Sequence, residues 1–210
     1  MGEVVAGASM SLDGFVAGPG ESGFDLLFGW MGGGSEEVPT AQPDRVLRMS
    51  PASAKVLRAQ LESTGALLVG RRLFDMTSGW GGTHPFGGPV VVVTHRAPAG
   101  WEDSPFTFVT EGIEAAVARA KELAGGRDVG VNAGEMARQC LEAGLLDAVR
   151  IDLVPVLLGG GVPLFGEFGL DPVRLGTPDV TVGEGVTHLR YPVAGTNSRS
   201  FSSVSALPGV

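Results

Sequence analysis

Apolar residues in this 210-residue chain come in short bursts rather than long periodic runs. "EVVAGASM" (3–10), "ALLVG" (66–70), "VVVV" (90–93), "FTFV" (106–109) and "DVGV" (128–131) have the length and composition of buried strands. Helical spacing lies between them. Ser50 precedes Pro51, and Val56, Leu57 and Leu61 fall on one side, which predicts a helix capped by the Ser50 hydroxyl. Thr110 is expected to cap a second helix, in which Ile113, Val117, Ala120 and Leu123 recur at helical spacing and Glu111 and Glu114 occupy the first turn. A third helix is expected over about residues 134–143. Strands alternating with helices predict an α/β fold with a mainly parallel sheet covered on its faces. After "AVRIDLVPVLL", the segments "VRLGTPDVTV" and "GVTHLRYPV" have no helix between them, so an antiparallel hairpin is expected and the sheet is mixed. One domain over 1–194 is expected, followed by a Ser-rich, loosely held tail over 195–210.

Composition removes several classes of function. A formal net charge of -8 argues against nucleic acid, which is held first through its phosphates. No stretch reaches the roughly 18 apolar residues of a membrane span, and "MGEVVAGASM" lacks a basic segment followed by an apolar signal core, so a soluble, cytoplasmic protein is expected. Cys140 is alone, which excludes an internal disulfide and a thiolate metal cage; in "ARQCLEAG" it reads as a buried thiol in a helix. His84, His95 and His188 are far apart, no HExxH occurs, and no metal is expected. There is no GxSxG elbow, and nothing in the sequence pairs a histidine with a serine, so nucleophilic hydrolysis finds no support. "GPGESG" (18–23) has the spacing of a dinucleotide fingerprint, but Pro19 lies inside it and no long helix follows, so it reads as a turn.

Four strand ends carry the candidate chemistry. "LLVGRR" ends in Gly70, Arg71 and Arg72; "VVVVTHR" ends in Thr94, His95 and Arg96; "VGVNAGE" opens a helix; "PVLLGGG" ends at Gly161. In an open parallel sheet, ligands bind across the carboxyl ends of the strands, where these loops would converge on one elongated ligand. Arg71, Arg72 and Arg96 suit phosphates, the amides around Gly134 suit a pyrophosphate at a helix N-terminus, and the triple glycine allows close backbone approach.

"SLDGFVAG", "LLVGRRLFD", "VVVTHR" and "RQCLEAGLLDAVRIDLVPVLLGGGVPLF", in that order and spacing, resemble the dihydrofolate-reductase-like superfamily, and within it the reductase domain of riboflavin biosynthesis enzymes and its stand-alone relatives. The resemblance implies a three-layer α/β/α architecture, with a mixed, mainly parallel sheet of about eight strands, that binds NADPH across the strand ends, often as a homodimer. It implies Gly70, Arg71 and Arg72 at the adenosine and pyrophosphate end, and Thr94, His95 and Arg96 around the 2'-phosphate. Asn132, Ala133, Gly134, Glu135 and Met136, with Leu158, Gly159, Gly160 and Gly161, would complete the cofactor site. Relatives commonly show a double glycine where this chain has Asn132 and Ala133.

Hydride transfer needs a placed acceptor and, for many acceptors, a proton. Asp13 in "SLDGF" and Asp25 in "GFDLLFGW" are the candidate proton sources. Trp30, Trp80, His84 and Phe86 lie in Gly-rich loops and are candidates to stack on a flat heterocycle. The Cys and His zinc pattern of a deaminase half does not occur in this sequence, so none is expected. The expected activity is an NADPH-dependent reduction of a pterin-like, pyrimidine, carbonyl or imine substrate; the rivals are a non-catalytic NADPH-binding dimer and a flavin- or deazaflavin-linked reductase.

Overall fold

The computed structural model describes residues 2–194; the expected tail over 195–210 lies outside the described residues. The strands are β1 (Val4–Ser11), β2 (Phe15–Ala17), β3 (Glu36–Pro39), β4 (Val46–Met49), β5 (Thr64–Gly70), β6 (Val90–Val93), β7 (Phe106–Val109), β8 (Asp128–Asn132), β9 (Ala148–Val154), β10 (Val162–Pro163), β11 (Asp179–Gly183) and β12 (Val186–Pro192). The helices are α1 (Phe24–Leu27), α2 (Pro51–Ser63), α3 (Arg71–Met76), α4 (Ile113–Ala124) and α5 (Glu135–Glu142).

Eight strands form one sheet in the order β11-β12-β9-β1-β8-β5-β6-β7. The six from β9 to β7 run parallel, and β12 and β11 add the expected antiparallel hairpin at one edge. Parallel pairing points the ends of β1, β5, β6 and β8 toward the same rim.

Strand alternation gives the sheet two unlike faces. Val4, Ala6, Ala66, Leu68, Val129, Val131, Val149 and Ile151 face α4 and α5, whose Val117, Ala120, Ala137 and Cys140 complete the main core. Each fully buried Val or Leu there contributes roughly 1.5–3 kcal/mol. The residues between them in sequence, Gly7, Ser9, Asn132, Arg150 and Asp152, face the other way and are small or polar. That polar stretch cannot form a dry core and becomes the floor of a cavity, while farther along the same face Val69, Val90 and Val92 pack with Phe74 and Phe106 into a second core.

The helix expected from Ser50 forms, with the Ser50 hydroxyl accepting the Ser53 amide at 3.3 Å and Ala54 and Leu57 buried. The expected Thr110 cap does not. Its helix starts at Ile113 after Gly112 at φ 98°, while the Glu111 carboxylate accepts both the Thr110 amide, at 2.7 Å, and the Thr110 hydroxyl. Helix α5 likewise begins after Gly134, at φ 77°, without a side-chain cap. "GPGESG" is a turn, closed by bonds from the Gly18 amide to the Ser22 carbonyl and from the Glu21 amide to the Gly18 carbonyl. The small hairpin β3–β4 lays Val38, Leu47 and Met49 against α2 and walls the cavity on its far side.

Candidate active site

One cavity of about 1100 Å³ runs along the polar face and the rim. Three strand ends enclose it at one side: Gly70, Arg71 and Arg72 after β5, Thr94, His95 and Arg96 after β6, and Asn132, Ala133, Gly134, Glu135 and Met136 after β8. Trp30, Trp80, His84 and Phe86 line it as well. All of these positions were singled out in the sequence, and the fold brings them to one space.

The local bonding refines their parts. Asn132 fills the gap that a double glycine would leave, its side-chain oxygen accepting the Gly70 amide at 2.9 Å and its nitrogen donating to the Ala133 carbonyl at 2.8 Å. The Gly134 amide donates to the Leu164 carbonyl at 2.7 Å, so it is not available to an anion. The next amides, of Glu135 and Met136, open the helix and have no intrahelical acceptor. Arg138 and Gln139 draw the Glu135 carboxylate along the helix, and their hydrogen bonds hold its pKa below the ordinary value.

Arg71 binds Asp75 at 2.7 Å and the Arg96 carbonyl at 3.0 Å, and Arg72 binds Glu21 at 2.6 Å. Exposed pairs of this kind hold by about 0–1 kcal/mol, so a phosphate can displace the carboxylates. The Thr94 hydroxyl donates to the Arg96 carbonyl at 2.8 Å and accepts the Arg96 amide, which fixes the turn; the Arg96 guanidinium forms no ion pair among the described residues.

Six positions proposed from sequence do not border the cavity: Asp13, Asp25, Leu158, Gly159, Gly160 and Gly161. The Asp13 carboxylate accepts the Ser11 hydroxyl at 2.5 Å and the amides of Leu158 and Gly159 at 3.1 and 2.7 Å. Those bonds, the Ser11 hydroxyl foremost, lower its pKa, the opposite of what a proton donor needs. Asp13 is a clamp on the glycine loop. Gly161, at φ 129°, lies where a Cβ would come within 2.0 Å of the Ala17 carbonyl oxygen, so its lack of a side chain serves the chain's own packing. Asp25 is exposed on α1.

What sequence reasoning missed sits on the cavity floor. Asp152 lines the cavity, and behind it His188, only 4% exposed, places Nδ1 2.7 Å from Asp152 Oδ1 and Nε2 2.9 Å from Ser53 Oγ. The direction of this chain follows from its far end. Ser50 Oγ accepts the amides of Ser53 and Glu184, so its own proton goes to Ser53 Oγ at 3.1 Å. Ser53 then donates to Nε2, and the imidazole proton sits on Nδ1, toward Asp152. A serine, a histidine and an aspartate are therefore linked after all, but in reverse of a hydrolase: the serine is buried in the first turn of α2 and the carboxylate meets the cavity.

Trp30 closes this corner. Its ring meets His188 edge to face at 5.1 Å, and its indole N–H donates to Ser9 at 3.1 Å. Arg150, two residues from Asp152 on the same face, lines the cavity without a hydrogen bond or ion pair among the described residues, and burial lowers its pKa. At the opposite wall, Trp80, His84 and Phe86 pack edge to face, with centroids 4.5 and 5.5 Å apart. His84 Nδ1 accepts the Phe86 amide at 3.1 Å, and burial, with help from Arg45, pushes its pKa down to about 4. It is a neutral donor through Nε2.

The family model of the RibD C-terminal domain matches residues 3–187. The chain belongs to the RibD C-terminal domain family. Among solved structures, this RibD C-terminal domain is similar to a riboflavin biosynthesis protein from Shewanella sp. PV-4, with 24% identity and a TM-score of 0.65 over 91% of this chain and 99% of that one. It is also similar to Acinetobacter baumannii RibD, at 14% identity and a TM-score of 0.62, covering 92% of this chain and 58% of that one. Dihydrofolate reductase from Enterococcus faecalis, in complex with NADP(H), gives 11% identity and a TM-score of 0.56 over 91% and 96% of the two chains. These likenesses establish a dihydrofolate-reductase-like fold. The protein YwjB of Bacillus subtilis is 26% identical over 106 residues, which span 50% of this chain and 61% of that protein. No helix among the described residues is long and apolar enough to cross a membrane, and no cluster of metal-ligating side chains occurs among them.

Proposed function

We propose that this RibD C-terminal domain is an NADPH-dependent reductase that delivers hydride to a small heterocyclic, carbonyl or imine acceptor. The observation that carries this reading is the cavity of about 1100 Å³ joining a phosphate-suited rim to aromatic walls. A cavity for one small ligand spans roughly 300–1,000 Å³, so this one has room for the reactive end of a dinucleotide and an acceptor together.

The residues present fit the cofactor. Glycine at 70 keeps the strand end open where a Cβ would meet Met136 at 3.4 Å, the Glu135 and Met136 amides face outward at a helix start, and Arg71, Arg72 and Arg96 offer three guanidinium groups along one rim. Thr94, His95 and Arg96 would receive the 2'-phosphate. NADPH, when bound, supplies the hydride. The protein's own work is to place the acceptor against it, exclude water with Trp30, Trp80 and Phe86, and supply donors through neutral His84 and through Arg150.

The test is NADPH oxidation, followed at the nicotinamide absorbance band, with pterins, aminopyrimidines and quinones as acceptors. Acceptor-dependent oxidation is expected. NADPH binding with no oxidation by any of the three classes would contradict a reductase and favour a binding role.

A further inference from the structure

The carboxylates first considered as proton sources lie off the cavity, yet a carboxylate does stand on its floor. We propose that Asp152 is the proton-delivering residue of this site and that His188 and Ser53 are the positioning residues that orient it. This inference rests on the reductase reading above.

Strand register sets the geometry. Gly7 is the Cα partner of both Asn132 on β8 and Arg150 on β9, so these three form one rung. Ser9, Asp152 and His188 form the rung two residues farther along β1, on the same face. Neighbouring strands are about 4.8 Å apart and two residues rise about 7 Å, so the Asp152 backbone lies roughly 10 Å across the sheet and one rung above Asn132. That spacing leaves room for a single flat ring between the cofactor loop and the carboxylate, in a space that Trp30 and Arg150 also line.

Burial argues against a purely structural chain. The chain is closed at its serine and histidine and opens at its carboxylate. Here Ser53 and His188 are 1% and 4% exposed, whereas Asp152 borders the cavity and uses only one of its oxygens on His188. Asp152 Oδ2 accepts no hydrogen bond among the described residues, and of Ser53, His188 and Asp152 only Asp152 borders the cavity. The charges around it are Arg150 on its own strand and Arg190 on β12, which pairs with Glu3.

The proton count closes. In the proposed step one proton from cavity water is carried on the Asp152 oxygen that faces the cavity, beside the heteroatom of a C=N or C=O group. When hydride has added to the carbon, the π electron pair moves to the heteroatom, which takes the proton from Asp152. The carboxylate left behind accepts the Nδ1 proton of His188 as a hydrogen bond, and His188 Nε2 keeps the Ser53 hydroxyl as its donor. Cavity water returns one proton to Asp152 before the next turnover.

Two probes separate proton supply from cavity shape. Reduction of 7,8-dihydropterin places hydride on C6 and requires a proton at N5, whereas menadione gives a hydroquinone anion that is stable without an enzymatic acid. With NADPH saturating, Asp152→Asn is expected to lower the dihydropterin kcat by about 100-fold or more while changing the menadione rate less than about threefold, since general acids typically contribute 10²–10⁴. His188→Gln and Ser53→Ala should follow the same order with smaller losses. Independently of turnover, NMR of the cofactor-free protein should show His188 protonated at Nδ1 and bare at Nε2, with both nitrogens shifting when 7,8-dihydropterin is added to the parent but not to Asp152→Asn. An unchanged dihydropterin rate, an equal loss with both acceptors, or a His188 signal indifferent to the probe overturns the proposal. A parent that binds NADPH and reduces neither acceptor overturns the reductase reading itself.

Discussion

The side-chain oxygen of Asn132 accepts the backbone N–H of Gly70 at 2.9 Å and so ties β8 to β5 where their two loops diverge around the cavity. A glycine at 132 would leave that amide without this partner. Asn132→Ala is expected to cost about 1 kcal/mol in urea denaturation, the usual net value of one such hydrogen bond, and to weaken NADPH binding by loosening both loops.

Two glycines in one loop should respond differently. At Gly161 an alanine methyl would meet the Ala17 carbonyl oxygen and Gly18, so Gly161→Ala should cost about 3 kcal/mol or more. At Gly159, also at positive φ but with open space around it, Gly159→Ala should cost only about 1 kcal/mol. Denaturant midpoints of the two variants, measured side by side, check the contrast.

His84 makes stability fall in mild acid. Its folded pKa of about 4 lies below the ordinary 6.5, so through that window the unfolded chain takes up a proton that the folded chain refuses. By linkage the parent loses on the order of 3 kcal/mol from this group as pH drops from about 6.5 to about 4, and it keeps that contribution in full above the window. His84→Gln should show a flatter stability profile between those limits. Identical profiles for parent and variant would contradict a neutral, half-buried His84.

The legible parts of this fold were those set by neighbours in sequence. "VVVV" was readable as a buried strand, and Ser50 with Pro51 marked the start of α2, because both signals are local. Strand ends were readable as meeting along one rim once the strands were placed. The Thr110 cap was misjudged because Glu111 competes for the same backbone amide that a helix start would leave free. Asp13 and the triple glycine looked like site residues because a carboxylate and a flexible loop serve ligands often; here they serve each other and β2, a contact across about 145 residues. Asp152 and His188 were missed for the same reason, being 36 positions apart. A signal was present: in "VRIDL" and "VTHLRY" strand alternation puts Arg150, Asp152, His188 and Arg190 on one face, too polar for a core.

Cys140 gives a simple check on the α5 face. It is fully buried, and burial pushes its thiol up to about 12. In mildly alkaline buffer it should not react with a disulfide reagent until denaturant is added, whereupon one thiol per chain should appear.

The account stands most directly on the turn at residues 94–96, where Thr94 fixes the backbone and Arg96 keeps a guanidinium free of ion pairs among the described residues. Parallel calorimetric titrations of NADPH and NADH into the parent and Arg96→Ala test it. The parent is expected to prefer NADPH on the order of 100-fold, with about tenfold of that lost in the variant, the scale of one charge-assisted phosphate contact. Equal affinities of the parent for the two cofactors would contradict it.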